Sequence, residues 1–264
     1  MFTETIIDQS PLWLLYVITV GWLLIGCELG FRVGRRSKAR WPESGKVSSA
    51  PIMGSILGLL AFMLAFTFGM SSTRFDTRKQ LVLEEASAIL VAHQRAQTLP
   101  EPHRSECSGL LREYAAQRLA LPTVKTVEEL QGIVVRAERI QDALWAQATI
   151  MGERPNMNLT GFVQSLTILT DLQIKRLRAA VWNRIPGVIV LALYGIAFLA
   201  LMALGFNSGM NEHRPGIPAI VLALAFSSVI VLIVDLERPR QQLFTVSQEP
   251  MADVARRIQP AKQP

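Results

Sequence analysis

The sequence contains only two cysteines and three histidines among its 264 residues. Cys27 falls in an apolar stretch and Cys107 in a polar one, so no disulfide is expected between them and the cysteines do not identify a redox compartment. His93, His103 and His213 lie in different segments, which is not the spacing of a metal site. A glycine-rich phosphate loop followed by Lys-Ser or Lys-Thr is also missing. We therefore expect no enzymatic activity, no metal and no cofactor.

Charge is almost absent from four long apolar stretches. They are Pro11 to Phe31, Pro51 to Met70, Ile185 to Phe206 and Ile217 to Val234, and Glu28 is the only charged residue in them. A helix needs about 20 residues to cross about 30 Å of hydrocarbon. Because lipid cannot satisfy backbone polar groups, such segments must be helices. The sequence predicts an all-α integral membrane protein with four transmembrane helices.

A long polar region separates the second span from the third. The mean hydropathy of +0.29 is high for a soluble domain but low for a protein that lies wholly in lipid. We expect the C-terminal tail to pack along the polar region through Phe244 and Val246. The predicted parts are a first transmembrane pair (1–70), a helical extramembrane domain (71–184), a second transmembrane pair (185–234) and a polar C-terminal tail (235–264).

The polar region has helical signals throughout. Arg74 to Gln97 contains no Gly or Pro, which predicts that the second transmembrane helix continues into water until Leu99 to Pro102 stops it. Thr126 and Glu129 have the spacing of a capping box and begin a further helix. Its apolar residues recur every three or four positions and include Ala137, Ile140, Leu144 and Ala148.

Glu84 and Glu85 form a carboxylate pair on the extended second helix. Adjacent helical residues point about 100° apart, so the two groups cannot act on one atom. We interpret the pair as part of a solvent-facing surface.

The net charge of +6 is concentrated in the short loop after the first span. Its basic residues are Arg32, Arg35, Arg36, Lys38, Arg40 and Lys46. Such a loop normally fixes membrane orientation, so we expect no nucleic-acid partner. The positive-inside rule makes this loop cytoplasmic and the helical domain periplasmic. Basic residues also flank the spans on the side of the helical domain, which argues against a periplasmic domain. Because the rule discounts long loops, we give the short loop more weight.

The second span carries small residues at steps of three or four, a pattern that permits close helix approach. These residues are Gly54, Gly58, Ala61, Ala65 and Gly69. Phe62 and Phe66 are one turn apart and nearly share a face. Ordinary packing explains such a pair, but around a symmetry axis the rings would form a hydrophobic constriction that gates ions by dewetting. Spacing alone does not choose between these alternatives.

Several motifs resemble known membrane proteins. Ala61 to Phe68, followed by Thr73 to Lys79, resembles the second helix of bestrophin chloride channels. The chain is more widely similar to the bestrophin-like family of bacterial membrane proteins. That similarity rests on Arg-Phe-Asp-Thr-Arg at 74–78, Leu-Glu-Glu-Ala at 83–86, Leu-Pro-Glu-Pro at 99–102, Leu-Leu-Arg-Glu-Tyr at 110–114 and Asp-Leu-Glu-Arg-Pro at 235–239.

The resemblance implies a pore neck at Phe62 and Phe66, with Gly58 at a level where the channels have a bulky apolar residue. Bestrophins hold a calcium-sensing acidic cluster after the fourth span, and the matching segment here offers only Asp235 and Glu237. Calcium takes about six to eight oxygens, so a salt bridge from these carboxylates to Arg238 or Arg240 is expected instead. The resemblance also implies a cytoplasmic helical domain, opposite to the charge argument.

Together these features predict a bacterial inner-membrane protein that assembles as a homo-oligomer, a pentamer by analogy, around the second span. It would conduct inorganic anions such as chloride, because Arg74, Arg78 and Lys79 would ring one pore mouth and symmetry multiplies their charge. The alternative is a non-conducting membrane sensor or scaffold whose helical domain binds a protein partner.

Overall fold

Helices account for every regular element in the residues that the computed structural model describes, which are 10–40, 50–121, 126–153, 159–181, 185–238 and 246–259. This confirms the predicted all-α class. The helices are α1 (Leu12–Arg40), α2 (Ala50–Ala96), α3 (His103–Ala120), α4 (Val127–Gly152), α5 (Thr160–Val181), α6 (Gly187–Met210), α7 (Gly216–Glu237) and α8 (Glu249–Arg257).

Four helices, α1, α2, α6 and α7, are long and apolar enough to cross a membrane, which confirms the four predicted spans. α2 has 47 residues. At about 1.5 Å per residue it is about 70 Å long, more than twice the hydrocarbon thickness. The predicted continuation of the second span is therefore confirmed. The helix ends at Ala96, just before the Leu99 to Pro102 segment.

The chain divides into two compact units. The membrane unit comprises Met1–Phe75 and Asn183–Thr245, and the helical unit comprises Asp76–Trp182 and Val246–Pro264. α1, α6, α7 and the apolar part of α2 thus belong to the membrane unit. The rest of α2 belongs to the helical unit with α3, α4, α5 and α8.

Glycines bring α1 and α6 into close contact within the membrane unit. A Cβ on Gly30 would overlap the backbone of Met202, and one on Gly205 would overlap the backbone of Cys27. Small residues let transmembrane helices approach in this way. The sequence pattern pointed to α2 for such packing, yet a Cβ on Gly54 of α2 would meet no atom of the described residues within 4 Å. The close approach within one chain is therefore made by α1 and α6.

The helical unit is built around one apolar core. The predicted capping box at the start of α4 is present, since Thr126 accepts a hydrogen bond from the Glu129 amide and the Glu129 carboxylate accepts one from the Thr126 amide. The predicted α4 stripe is also confirmed. Its residues Ala137, Ile140, Leu144 and Ala148 are buried, as are Ile89, Ala92 and Ala96 of α2.

The C-terminal tail joins the same core. α8 packs on α3, and Met251, Val254 and Ile258 are buried in the helical unit. Packing of the tail along the helical domain is thus confirmed, although its buried residues lie further along the chain than predicted. Val246 is half-buried, and Phe244 lies outside the described residues.

Candidate functional site

One face of α2 points away from the helices that the structure describes. The side chains of Phe62 and Phe66 are 66% and 59% exposed. Their ring centroids lie 6.4 Å apart with an interplanar angle of 18°. A Cβ on Gly58 or Gly69 would meet no atom within 4 Å in the part of the chain that the structure describes. The structure therefore brings the three predicted neck residues together on an outward face of an apolar helix.

Hydroxyl groups lie on the same face near its two ends. Ser55 and Thr73 are exposed and continue the steps of three and four residues that link Gly58, Phe62 and Phe66. Each hydroxyl donates to the carbonyl four residues earlier, Ser55 Oγ at 3.0 Å and Thr73 Oγ1 at 2.9 Å. The two residues are about 27 Å apart along the helix, close to the hydrocarbon thickness. We call the face formed by Ser55, Gly58, Phe62, Phe66, Gly69 and Thr73 the open stripe.

The opposite face of α2 holds the helix in the membrane unit. Leu60, Leu64, Thr67 and Ser71 are buried there. One face of α2 is buried and the other is exposed. This difference fixes which side chains of α2 point away from the rest of the membrane unit. The sequence reasoning did not find Ser55 and Thr73, although their helical spacing from the phenylalanines was visible.

The predicted pore-mouth residues have different surroundings. Arg74 is largely buried, and its Nη1 lies 3.5 Å from Glu237 Oε2 in an ion pair. Arg78 is half-buried, whereas Lys79 is exposed. The positive charge of Arg74 is therefore offset by a carboxylate of the same chain.

Glu237 connects three elements of the membrane unit. Its Oε2 accepts a hydrogen bond from the Ile185 amide at 2.8 Å as well as the contact from Arg74. For Glu237 the sequence predicted a salt bridge to Arg238 or Arg240, whereas the ion pair that the described residues show is with Arg74. For Asp235 the same expectation stays a prediction. Arg238 donates through Nη1 to the carbonyl of Ser10 at 2.8 Å. Arg240 lies outside the described residues.

The acidic segment at the end of α7 does not fit a calcium ion. Glu237 is already engaged by a guanidinium and an amide, and Asp235 is completely buried. Calcium needs about six to eight oxygen ligands. In the described part of the chain, no group of three or more His, Cys, Asp and Glu side chains could hold a metal ion.

A buried ionic cluster in the helical unit was missed by the sequence reasoning. Glu85 is fully buried, and its Oε1 lies 2.7 Å from Arg118 Nε. It also accepts a hydrogen bond from the Tyr114 hydroxyl at 2.8 Å and pairs with Arg176. The interpretation of Glu84 and Glu85 as solvent-facing is right for Glu84 and wrong for Glu85.

Burial and charge act in opposite directions on this cluster, which lies outside the membrane spans. Burial raises the pKa of Glu85, but the guanidinium groups of Arg118 and Arg176 outweigh it and hold the pKa below its usual value. Burial, reinforced by the Glu85 charge, raises the pKa of the Tyr114 hydroxyl. Glu85 is thus ionised and Tyr114 is a neutral donor near pH 7.

The chain is similar to known proteins in sequence and in fold. Residues 17–251 match the family model described as Bestrophin-like domain. No curated protein matches. A bestrophin homolog from Klebsiella pneumoniae with a tryptophan-to-alanine mutation superposes with a TM-score of 0.68 at 16% identity, covering 92% of this chain and 94% of that one. A second structure of a Klebsiella pneumoniae bestrophin homolog gives a TM-score of 0.67 at 14% identity, with 94% and 97% covered. These structures have the same fold as this chain.

Proposed function

The chain belongs to the bestrophin-like family, and from that premise we propose that it forms an oligomeric, anion-favouring ion channel whose hydrophobic neck is on α2. The assembly is a homo-oligomer around the open stripe, a pentamer by analogy with bestrophins. Its substrates are inorganic anions such as chloride, and it acts as a channel and not as an enzyme.

The observation that carries this proposal is the open stripe itself. An isolated chain leaves Phe62 and Phe66 more than half exposed, while the other side of α2 is packed. Repeated around an axis, the stripe would line a passage with two levels of aromatic rings in its middle. A narrow passage lined by such rings excludes water, which is how hydrophobic constrictions gate ions.

Polar groups at the ends of the stripe support the same reading. The hydroxyls of Ser55 and Thr73 would lie at the two ends of the passage, where ions lose hydration water before they enter the apolar neck. Gly58 and Gly69 carry no side chain, so the levels beside the rings would be wider than the two phenylalanine levels. The barrier would therefore be confined to the two phenylalanine levels.

We assign the preference for anions to the basic residues that follow the second span, Arg74, Arg78 and Lys79. Because Arg74 is paired with Glu237, the exposed Lys79 would contribute more of the positive potential at the pore mouth. A small excess of positive charge per subunit is multiplied by the symmetry of the assembly.

The proposed location is the bacterial inner membrane, with the helical unit in the cytoplasm. This orientation follows the one that the resemblance to bestrophins implies, and the fold match over most of the chain supports it. It is opposite to the orientation expected from the basic first loop.

Chloride flux into liposomes tests the function. The double variant Phe62→Ala/Phe66→Ala removes the apolar barrier and should raise the flux above that of the wild type. Phe68→Ala is a matched control, because Phe68 lies on the same helix but off the open stripe, and it should leave the flux unchanged. If oligomeric wild type and double variant are both inactive, the channel proposal is wrong and the scaffold alternative gains support.

A further inference from the structure

α1 has two faces of opposite character. Gly30 and Gly34 press one face against the backbone of α6. Ile18, Ile25 and Leu29 are 56%, 54% and 44% exposed on the other face. At about 100° per residue these three side chains lie within about 40° of one another around the helix. The outward face is therefore a narrow apolar stripe inside the membrane.

The same face continues into exposed arginines. Arg32, Arg36 and Arg40 follow Leu29 at steps of three, four and four residues. Ile18 and Leu29 are about 16 Å apart along the helix, which is about half of the 30 Å hydrocarbon thickness. One acyl chain of a single leaflet would match the apolar part, and its headgroup would then lie beside the arginines.

The arginines leave an excess of positive charge. Arg32 is paired with Glu28 at 2.8 Å, and on the same loop side Lys38 is paired with Glu212 at 3.2 Å. Within the residues that the structure describes, Arg36 and Arg40 pair with no carboxylate. Guanidinium groups bind phosphate oxygens through two parallel hydrogen bonds, so a phosphate monoanion is the ligand that suits them.

We propose that this face, Ile18 to Leu29 with Arg32, Arg36 and Arg40, binds an anionic phospholipid. A second copy of the chain is the competing occupant, but the described part of the membrane unit has little to offer these arginines. Its acidic residues are Glu28, Glu212 and Glu237, each in an ion pair, and Asp235, which is completely buried. The lipid site does not depend on channel activity.

Native mass spectrometry of the purified protein tests the site with phosphatidylglycerol and phosphatidylcholine of identical acyl chains. The wild type should retain phosphatidylglycerol in preference to phosphatidylcholine by on the order of tenfold, because each basic residue near a membrane surface strengthens the attraction to anionic lipid. The triple variant R32Q/R36Q/R40Q should lose the preference. The control R136Q/R139Q/R257Q removes three exposed arginines of the helical unit and should keep it.

Photo-crosslinking of the unmodified protein locates the lipid even if the triple variant does not fold. Phosphatidylglycerol with a photoreactive acyl chain should label the peptide from Ile18 to Leu29. Equal retention of both lipids would overturn the proposal, as would an undiminished preference in a folded triple variant. Crosslinks that join two copies through this peptide would show instead that a second copy covers the stripe.

Discussion

Arg118 Nε lies 2.7 Å from Glu85 Oε1, and both side chains are almost completely buried among the helices of the helical unit. Removing a carboxylate from water is costly unless charges and hydrogen-bond donors replace the solvent. Tyr114 of α3 donates a hydrogen bond to Glu85, and Arg176 of α5 adds a second positive charge, so both take the place of solvent around the carboxylate. One carboxylate on α2 thus connects three helices.

Loss of the Glu85 charge should destabilise the helical unit strongly. Glu85→Gln leaves two guanidinium groups buried without their anion, and breaking a buried ion pair typically costs about 3–5 kcal/mol. Glu84→Gln, at the exposed neighbouring position, should change stability by no more than about 0.5 kcal/mol. Urea unfolding of the purified protein followed by circular dichroism measures both. Equal midpoints for the two variants would mean that the cluster contributes nothing to stability.

The same carboxylate should make the helical unit sensitive to acid. Because the folded-state pKa of Glu85 is lowered, its contribution to stability is fully present above the unfolded-state value of about 4.3. The contribution is lost as the pH falls below that value and through the folded pKa. Unfolding midpoints between pH 7 and pH 3 should therefore fall more steeply for the wild type than for Glu85→Gln. Parallel curves would contradict the assignment.

Cys107 should be unreactive in the folded protein. It is completely buried, and burial together with Glu106 raises the pKa of its thiol to about 11. The thiolate is the reactive form, so a maleimide at pH 7 should label it only after denaturation. Mass spectrometry measures the rate of maleimide labelling. A rate in the native protein that is typical of an exposed thiol would show that α3 separates from the core of the helical unit.

Sidedness then requires a thiol at an exposed position such as Ala116 of α3. With the helical unit in the cytoplasm, Ala116→Cys should react with a membrane-impermeant maleimide only after the inner membrane is broken. Reaction in cells with only the outer membrane permeabilised would place the unit in the periplasm. The basic first loop would then have predicted the orientation correctly.

The contact between α1 and α6 should tolerate no added methyl group. Gly30→Ala pushes a Cβ into the backbone of Met202, and overpacking of this kind typically costs about 1–3 kcal/mol. Gly54→Ala is the matched change on α2, where the new Cβ meets open space. Thermal unfolding in detergent should show a lower midpoint for Gly30→Ala alone. Unchanged midpoints in both variants would mean that α1 and α6 can move apart without loss of stability.

Glu237→Gln should strengthen anion selectivity if the protein conducts. The amide side chain can still accept from Ile185, but Arg74 loses its counter-charge. An uncompensated positive charge at the pore mouth attracts anions, and about 1 kcal/mol of added attraction corresponds to roughly a fivefold rise in the permeability ratio. Reversal potentials in a chloride gradient measure this ratio. Arg74→Gln is the control and should not increase it.

The features that sequence reasoning predicted are local ones. The four spans, the Thr126 capping box and the α4 stripe depend on residues within a few turns, and all are present. Glu85 pairs with Arg118, which is 33 residues away along the chain, and Glu237 with Arg74, which is 163 residues away, so no local pattern reveals these pairs. Glu85 nevertheless lies between Leu81, Val82, Ala86 and Ile89, which are all buried. The periodicity of these apolar residues indicated that Glu85 is buried. Interpreting Glu84 and Glu85 as one pair led to the wrong prediction for Glu85.

The open stripe shows a different limit. Phe62 and Phe66 are more than half exposed among the described residues of one chain, so whether they face lipid or an axis depends on other copies. Sequence spacing could identify the face, but neither the sequence nor a single chain contains the symmetry that would give it a function.

The contact of Glu237 with Arg74 and the Ile185 amide affects how the membrane unit can move. These bonds join α2, the segment just before α6 and the end of α7 at one carboxylate. Any turning of α2 about its own axis would have to break the ion pair in that subunit. In a ring of identical copies, a turned subunit beside an unturned one would also mismatch its neighbours. The barrier to the first rotation would then exceed that to each later one, and the ring would switch cooperatively.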